Sequence, residues 1–380
     1  MNKILVIAPN YTPGSGPSNA LYFLKYVHAT KFLFFKQGSS TYCKDMNMYA
    51  LGIYNLGINH YVLSRFVKSL VEKLRPDYYI LSIAPELLLS LEEEVLEKTI
   101  VIPQGVLEPV HIKYEPTSIR AISTYPEIMF VSRRVGGYAA ISYYMLRRIT
   151  EIFHPRKVEL VWNPVREAFF ELGMKKLQKE PLRKKLKLLY VGRLDRLKGV
   201  DKLIEFMPEV VREYRDAELH IVGDGPLQSY LMHQVHKLTL EDKVFIHGRL
   251  PDAELLQHYA DSTLLVTASY WESFCLPVAE AVAAATPSVV REVYALKDHA
   301  MLGYAIGFKK DNPENFIEAI GKALDRYEKL ALQGFKIAQQ LFHPSIVAKK
   351  ILDLLQSLKN ELKMRCETHV KDYYTKHQQL

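Results

Sequence analysis

Short apolar runs alternate along this chain with longer stretches in which apolar residues recur every third or fourth position. In the first half the runs are Ile4–Ala8, Phe32–Phe35, Tyr78–Ala84, Thr99–Ile102 and Val158–Trp162. Each reads as a buried strand, and stretches such as Tyr61–Leu74, where Leu63, Phe66, Val67 and Leu70 share one face, read as covering helices. A charged, sequence-simple segment, Gly173–Lys187, interrupts the pattern. The alternation then restarts with LLYVG (188–192), ELHIVG (218–223), KVFIHG (243–248), TLLVTAS (263–269) and PSVV (287–290). Helical periodicity follows each of these except the last, where YALKDHAMLG (294–303) is ambiguous. A long helical region at 313–334 and a helix from about Pro344 to Lys359 close the pattern, and the last 20 residues carry little fold signal. The expected fold is α/β, two doubly wound, Rossmann-like parallel-sheet domains: residues 1–170, a linker at 171–185, residues 186–340, and a C-terminal helix and tail at 341–380.

Two domains also suit the length, because 380 residues exceed the roughly 250 to 300 at which a single core stops growing. With 48% hydrophobic and 24% charged residues the composition is that of a soluble globular protein. No apolar segment approaches the roughly 20 residues that span a bilayer. The amino-terminal apolar run is only Ile4–Ala8, which reads as a strand rather than a signal sequence. Cys43, Cys275 and Cys366 are widely separated, so neither a disulfide framework nor a zinc site is expected, and a reducing cytosol fits best. The net charge of +8 favours an anionic partner: a nucleotide, a phosphorylated substrate or an acidic membrane surface.

Residues Leu188–Met207 narrow the choice. A strand leads to Gly192, two cations at Arg193 and Lys198, then Gly199 and a helix. Glycines let backbone amides approach a phosphate, and a helix amino terminus favours negative charge. Arg193 can fork onto a diphosphate and Lys198 can meet it as a point charge. The plainer reading is a strand-to-helix turn with solvated basic residues. Gly223, Asp224 and Gly225 follow the next strand, with Pro226 at an expected first helical position, and Asp252 is expected to cap a later helix.

In Ala268–Val290 a strand gives way to the loop YWESF, and Pro277 is expected to open a helix that carries Glu280 in its first turn. Glu272 stays in the loop, and the free amides of Ser273, Phe274, Cys275 and Leu276 point into the same crevice beyond the strand ends. A carboxylate accepts both hydrogen bonds of a vicinal diol, which suits Glu280 to a ribose and Glu272 to a sugar. The local alternative leaves Glu280 complementing the helix dipole, worth about 0.3 to 1 kcal/mol.

Together VGRLDRLKG, IVGDGP, FIHGRLPDAELLQHYADSTLLVTAS and ESFCLPVAEAVAAATPSVV resemble the retaining glycosyltransferases of family 4, which have the GT-B architecture of two Rossmann-like domains facing a cleft. The resemblance is strong over about residues 186–292 and weaker outside them, where APNYTPGSGPSNALYFLKYV and VELVWNPV carry it. It implies that Arg193, Lys198 and Glu272 are the catalytic residues, with Gly192 beside the two cations that bind a donor diphosphate. It further implies that Glu272 and the amides of residues 273–276 hold the transferred sugar and that Glu280 holds the ribose. Backbone at Gly248, Arg249 and Leu250 would meet the base, Gly14 and Gly16 would line the cleft from the first domain, and a C-terminal helix would cross back to that domain. The implied reaction is transfer of a sugar from a nucleotide-sugar to an acceptor hydroxyl with retention, the acceptor being a carbohydrate, a lipid or a small molecule.

Three positions depart from the family pattern. Cys275 and Ala285 stand where glycines are usual, and Gln104 stands where a first-domain histidine is common, with His111 as a weaker substitute. No metal and no cofactor is expected, since the sequence holds no Asp-x-Asp pair and two cations can supply the charge. A nucleotide-sugar epimerase of the same fold remains the alternative, and below it a non-catalytic anion or nucleic-acid binder, for which no recognition motif is present. A glycoside hydrolase fits tandem Rossmann-like domains poorly. A dehydrogenase would want a third glycine where GSGPSN ends at Asn19. The basic, aromatic segment Tyr143–Phe153 has two readings, a surface helix packed on the sheet or a peripheral membrane contact.

Overall fold

The computed structural model describes residues 4–8, 30–37, 41–43, 48–53, 69, 72–81, 91–105, 131–178 and 185–377. The first sheet holds β1 (Ile4–Ala8), β2 (Thr30–Gln37), β3 (Thr41–Cys43), β4 (Met48–Ile53), β5 (Tyr78–Leu81), β6 (Thr99–Val101), β7 (Gly137–Ala140) and β8 (Val158–Leu160). Its order is β3-β4-β2-β1-β5-β6-β7-β8, parallel throughout except for the antiparallel β3/β4 pair. The second sheet holds β9 (Lys187–Val191), β10 (Glu218–Val222), β11 (Val244–Gly248), β12 (Leu264–Thr267), β13 (Ser288–Arg291) and β14 (Ala305–Phe308). Its order is β11-β10-β9-β12-β13-β14, all parallel. The continuous apolar runs make strands here because helices cover both faces of a parallel sheet.

The helices are α1 (Glu93–Glu97), α2 (Tyr143–Phe153), α3 (Glu167–Leu177), α4 (Val200–Glu213), α5 (Gln228–Lys237), α6 (Asp252–Asp261), α7 (Leu276–Ala283), α8 (Tyr294–Met301), α9 (Pro313–Asp325), α10 (Tyr327–Leu341) and α11 (Pro344–His377). The ambiguous 294–303 stretch is thus a helix, and the long region at 313–334 is split in two at Arg326. Among the described residues none of these helices is long and apolar enough to cross a membrane. In α2, Tyr144, Met145, Ile149 and Phe153 are buried, so the apolar face of this segment packs on the protein.

The expected linker departs from its reading. Residues 171–177 lie within α3, which buries Phe169, Phe170 and Gly173. Its Lys176 is half-buried, and donates to the Tyr259 carbonyl at 3.1 Å, the Ser262 carbonyl at 2.9 Å and Thr286 Oγ1 at 2.7 Å. Three acceptors satisfy the three protons of an ammonium, which is how a charged segment can fold as packed helix. Burial still pulls the Lys176 pKa down to about 8.

One continuous core runs from the first sheet into the α3, α7 and α8 side of the second domain, and a separate core lies under α4 and α9. At the crossing, Trp162 meets Phe342 at 5.7 Å and Phe274 at 6.1 Å between ring centroids, and the Val165 amide donates to the Phe342 carbonyl at 2.9 Å. The C-terminal helix α11 returns to the first domain, burying Ile351, Leu354, Leu355 and Leu358 and pairing Glu361 with Lys157 at 3.3 Å.

The domains also share a helix cap. Asp298 on α8 accepts a 2.8 Å hydrogen bond from the amide of Tyr144 in the first turn of α2, alongside the cap that Ser142 provides to Met145 at 3.0 Å. We expect Asp298→Ala to lower stability by about 0.5 to 2 kcal/mol, the usual cost of losing an N-terminal cap. Asp298→Asn, which keeps an acceptor, should lose less. Unfolding midpoints of both variants check this, and equal midpoints for Asp298→Ala and the parent would remove the cap from the interface.

Candidate functional site

In the second sheet the chain runs outward from β9 to β10 and β11, then returns to the other side of β9 with β12. Crevices beyond the strand ends at such a reversal are where open α/β sheets take ligands. Here that crevice is built by the turns after β9 and β12. Gly199 ends a one-turn 3-10 helix at Arg196–Lys198 with φ of +59°, and a Cβ there would run into the Ala268 carbonyl beyond β12. Gly223, after β10, approaches the Gly192 carbonyl too closely for any side chain. The two glycines let three strand ends converge.

Lys198 and Glu272 meet in that crevice, Nζ to Oε1 at 2.8 Å, both largely shielded from solvent. Burial alone would lower the pKa of Lys198; the charge and hydrogen bond of Glu272 outweigh it and raise the pKa above the ordinary lysine value. The ammonium therefore stays charged. Ser269 Oγ lies 3.0 Å from the same Glu272 oxygen. Arg193 is more open, 65% exposed, and its guanidinium is held by Asp195 at 2.8 Å through Nε and 2.7 Å through an amino nitrogen. Asp195 also accepts from the Lys198 amide at 3.1 Å, so one carboxylate sets the turn that carries both cations. Sequence reasoning missed this residue, although its place before the turn R-L-K is where a capping Asp belongs. The buried Tyr190 hydroxyl supports the turn from below, donating to the Arg193 carbonyl at 2.8 Å.

Cys275 precedes α7 in the left-handed region, φ +71°, and turns the chain so that helix and loop present their amides together. The amides of Ser273, Phe274, Cys275 and Leu276 have no backbone acceptor among the described residues. The loop is clasped from several sides. Ser142 Oγ donates to the Ser273 carbonyl at 2.7 Å, Ser273 Oγ to the Gln104 carbonyl at 2.6 Å, and Trp271 Nε1 to Tyr144 Oη at 3.0 Å. From its own domain, His299 on α8 holds the Phe274 carbonyl through Nε2 while its Nδ1 faces Tyr304 Oη at 2.6 Å. Burial pulls the pKa of His299 down to about 4, which keeps it neutral in this role. Neither His299 nor Ser142 carries a motif that would have marked it in the sequence.

Glu280 differs from its sequence reading. The helix starts at Leu276, so Glu280 lies beyond the first turn, which contains no acidic residue. It does not cap the helix dipole. Instead it is 4% exposed and accepts a 3.0 Å hydrogen bond from Tyr259 Oη on α6. Burial raises its pKa to about 7, against the opposing pull of Arg166. Arg166 is a further residue that sequence reasoning missed. It pairs with Asp252, lies 5.1 Å from the Phe169 ring centroid, and keeps its buried Nε without a hydrogen-bond partner among the described residues. Asp252 is accordingly the first residue of α6 and an ion-pair partner, with Pro251 at the cap position and no side-chain cap. Pro226 likewise precedes α5, whose cap is Leu227.

The expected base-binding backbone begins at the last residue of β11, Gly248 at φ +70°, and continues through the exposed Arg249, paired to Asp224 at 3.0 Å, to Leu250. From the first domain Gln104 reaches the loop that carries Glu272. Its amide exchanges hydrogen bonds with Asn163, the shorter at 3.1 Å, and its carbonyl receives Ser273. Gly14, Gly16 and His111 lie outside the described residues.

Residues 174–336 match the profile of the family described as glycosyl transferases group 1. A glycogen synthase from Mycobacterium tuberculosis is 33% identical over 159 residues, 41% of this chain and 37% of that protein. The chain spans 37 to 45% of the lengths of the first curated relatives it matches. Among solved structures, sucrose-phosphate synthase from Thermosynechococcus elongatus superposes with a TM-score of 0.77 at 15% identity, covering 95% of this chain and all of that one. HepE from Anabaena in complex with UDP-glucose superposes with a TM-score of 0.73 at 16% identity, covering 94% of this chain and all of that one. The two-sheet architecture is therefore the GT-B fold, and residues 174–336 are similar to the glycosyl transferases group 1 domain.

Proposed function

We propose that the chain is a retaining glycosyltransferase that moves a sugar from a nucleotide-sugar donor to an acceptor hydroxyl in a reducing cytosol. The observation that carries this reading is the Lys198–Glu272 pair in the crevice at the sheet's reversal, flanked by Arg193 and a row of loop amides without a backbone acceptor among the described residues. Such a site offers positive charge for a diphosphate beside a carboxylate for sugar hydroxyls. The relatives' names support the class of reaction, and UDP-glucose in the HepE complex supports the class of donor.

In this reading Arg193 and Lys198 receive the diphosphate, and Glu272 with the amides of residues 273–276 orients the transferred sugar. Asp195 and Glu272 keep the two cations apart and aimed before the donor arrives, so little reorganisation remains for the reaction itself. The bond from the anomeric carbon to the phosphate oxygen breaks, and the acceptor oxygen bonds that carbon on the same face and passes its proton to the departing phosphate oxygen. No side-chain nucleophile is needed. Glu280 takes the ribose hydroxyls through the oxygen that Tyr259 leaves free, and backbone at 248–250 meets the base. Gln104 bonds the sugar from the first domain. No metal takes part in transfer, because the two cations already offset the leaving charge.

A panel of nucleotide-sugars and acceptors, assayed with excess chelator, tests the function. Formation of a new glycosidic product that persists without Mg2+ or Mn2+ is expected. An epimer of the donor sugar as sole product would overturn the assignment, and activity lost to chelator and restored by either ion would overturn metal independence.

The cations stabilise charge that grows as the bond breaks, so their loss should depress turnover more than affinity. Arg193→Ala and Lys198→Ala should each lower turnover by roughly 10²-fold to 10³-fold, and the double variant should lose less than the product of the two effects. Near-normal turnover in either folded variant would reduce that residue to a surface charge.

Ribose binding through Glu280 carries a pH signature. Only the carboxylate accepts both hydroxyls, and burial places its pKa at about 7, so donor affinity should rise as pH rises to about 7 and level off above it. Below that value the limit is a tenfold loss per pH unit, following about 1.4 kcal/mol per unit. Donor titrations from pH 5.5 to 8.5 on the parent and Glu280→Gln check this: the variant should be flat, and a flat parent would take Glu280 out of the donor site.

A further inference from the structure

Three histidines that the donor reading leaves unused converge at the edge of the second sheet. His220 stands on β10, His247 on the neighbouring β11 and His258 on α6, and one ring nitrogen from each lies within 4.8 Å of the other two. His220 Nδ1 is 3.0 Å from His247 Nε2. The His258 ring centroid lies 4.4 Å from that of His247 and 5.7 Å from that of His220. On the far side of His220, Nε2 faces Glu218 Oε2 at 3.4 Å. An ionised carboxylate only accepts, so this nitrogen carries the proton and the Nδ1 lone pair is turned toward His247. A carboxylate behind one ring nitrogen, with the other free to ligate, is the arrangement that orients metal-binding histidines.

We propose that His220, His247 and His258 form a binding site for a divalent transition metal of the zinc class, distinct from the donor crevice, with Glu218 orienting His220 from behind. Three imidazole nitrogens at about 2.0 to 2.1 Å from the ion leave a fourth tetrahedral position for water or an anion. Imidazole suits zinc, copper and nickel, whereas magnesium demands oxygen, so three histidines select the zinc class over magnesium. Binding requires His247 to carry its proton on Nδ1 instead of Nε2, an exchange through water that leaves the protein's net charge unchanged. Burial also favours the ligating form, holding all three imidazoles below the ordinary histidine pKa.

The ion would tie α6 to the outer strands β10 and β11. The residue after His258 is Tyr259, whose hydroxyl holds Glu280, so the site and the crevice are joined through one helix.

The test is Zn2+ titrated into the untagged, metal-free full chain. One Zn2+ per chain, a raised unfolding midpoint, and the visible absorption of tetrahedral Co2+ when cobalt replaces zinc are expected. His247→Gln and His258→Gln should each weaken Zn2+ binding by about tenfold or more and remove the Co2+ bands. His233→Gln, on the exposed side of α5, should change neither. A parent chain that takes up no stoichiometric Zn2+, or that gives no tetrahedral Co2+ spectrum, would overturn the proposal. So would binding retained by the folded His247→Gln or His258→Gln chain; should one of these fail to fold, the other and the parent's Co2+ spectrum decide.

Discussion

The site depends on one buried ion pair. Lys198 follows β9 and Glu272 follows β12, and their 2.8 Å contact closes the crevice between two adjacent parallel strands whose connections leave in opposite directions. Each charge would be penalised there alone, because shielding an unpaired ion from water is costly. Each makes the other's position tolerable, and the strand ends are held together as a consequence. Asp195 has the same role in the layer outside, joining the Arg193 guanidinium to the Lys198 amide. Both cations are thus already ordered by opposite charges, Arg193 by Asp195 and Lys198 by Glu272.

The second constraint comes from the other domain. The loop that carries Glu272 is bound to Gln104, Ser142 and Tyr144 of the first domain, and Trp162, Phe274 and Phe342 pack where the chain crosses. A hinge between the domains would therefore pull directly on the loop that carries Glu272. Asp298 strengthens the coupling, since it caps a helix of the first domain from a helix that also carries His299, the residue holding the Phe274 carbonyl. Relative domain position and loop geometry are mechanically one variable in this arrangement.

Most strands of the second sheet were legible because each is a compact apolar run bounded by glycine or polar residues, β13 ending at Arg291; only β14, with AIGF, lacked that contrast. In the first sheet β3, β4 and β7 were missed, and β7 shows why: GYAA has no β-branched residue, yet all four of its residues are buried. Burial on both faces, a tertiary fact, makes it a strand. Glu272, Lys198 and Arg193 could be found because motif spacing along the chain maps onto the crevice. Asp195 needed its capping geometry, Arg166 and His299 needed the packed interface, and the three histidines needed the strand register that sets His220 opposite Phe245 with His247 two residues on. The charged 173–187 segment misled because periodicity cannot see that Lys176 finds three acceptors.

The two departures from glycine lie at the two ends of the same helix. Cys275 stands before α7 with φ of +71°, and Ala285 stands after it with φ of +54°. The far end is a complete Schellman turn: the Thr286 amide donates to the Ala281 carbonyl at 2.8 Å and the Ala285 amide to the Val282 carbonyl at 3.1 Å. Glycine would enter both conformations freely, whereas other L-residues there cost roughly 1 to 2 kcal/mol each. The surroundings must over-determine both positions for the strain to persist, and they do. Cys275 and Ala285 are buried, and Thr286 is fastened by Lys176. A short helix with its termini pinned this way has little freedom to slide or rotate, so the spacing between Glu272 in the loop and Glu280 in the helix is set by packing at the two ends instead of by flexible glycine hinges.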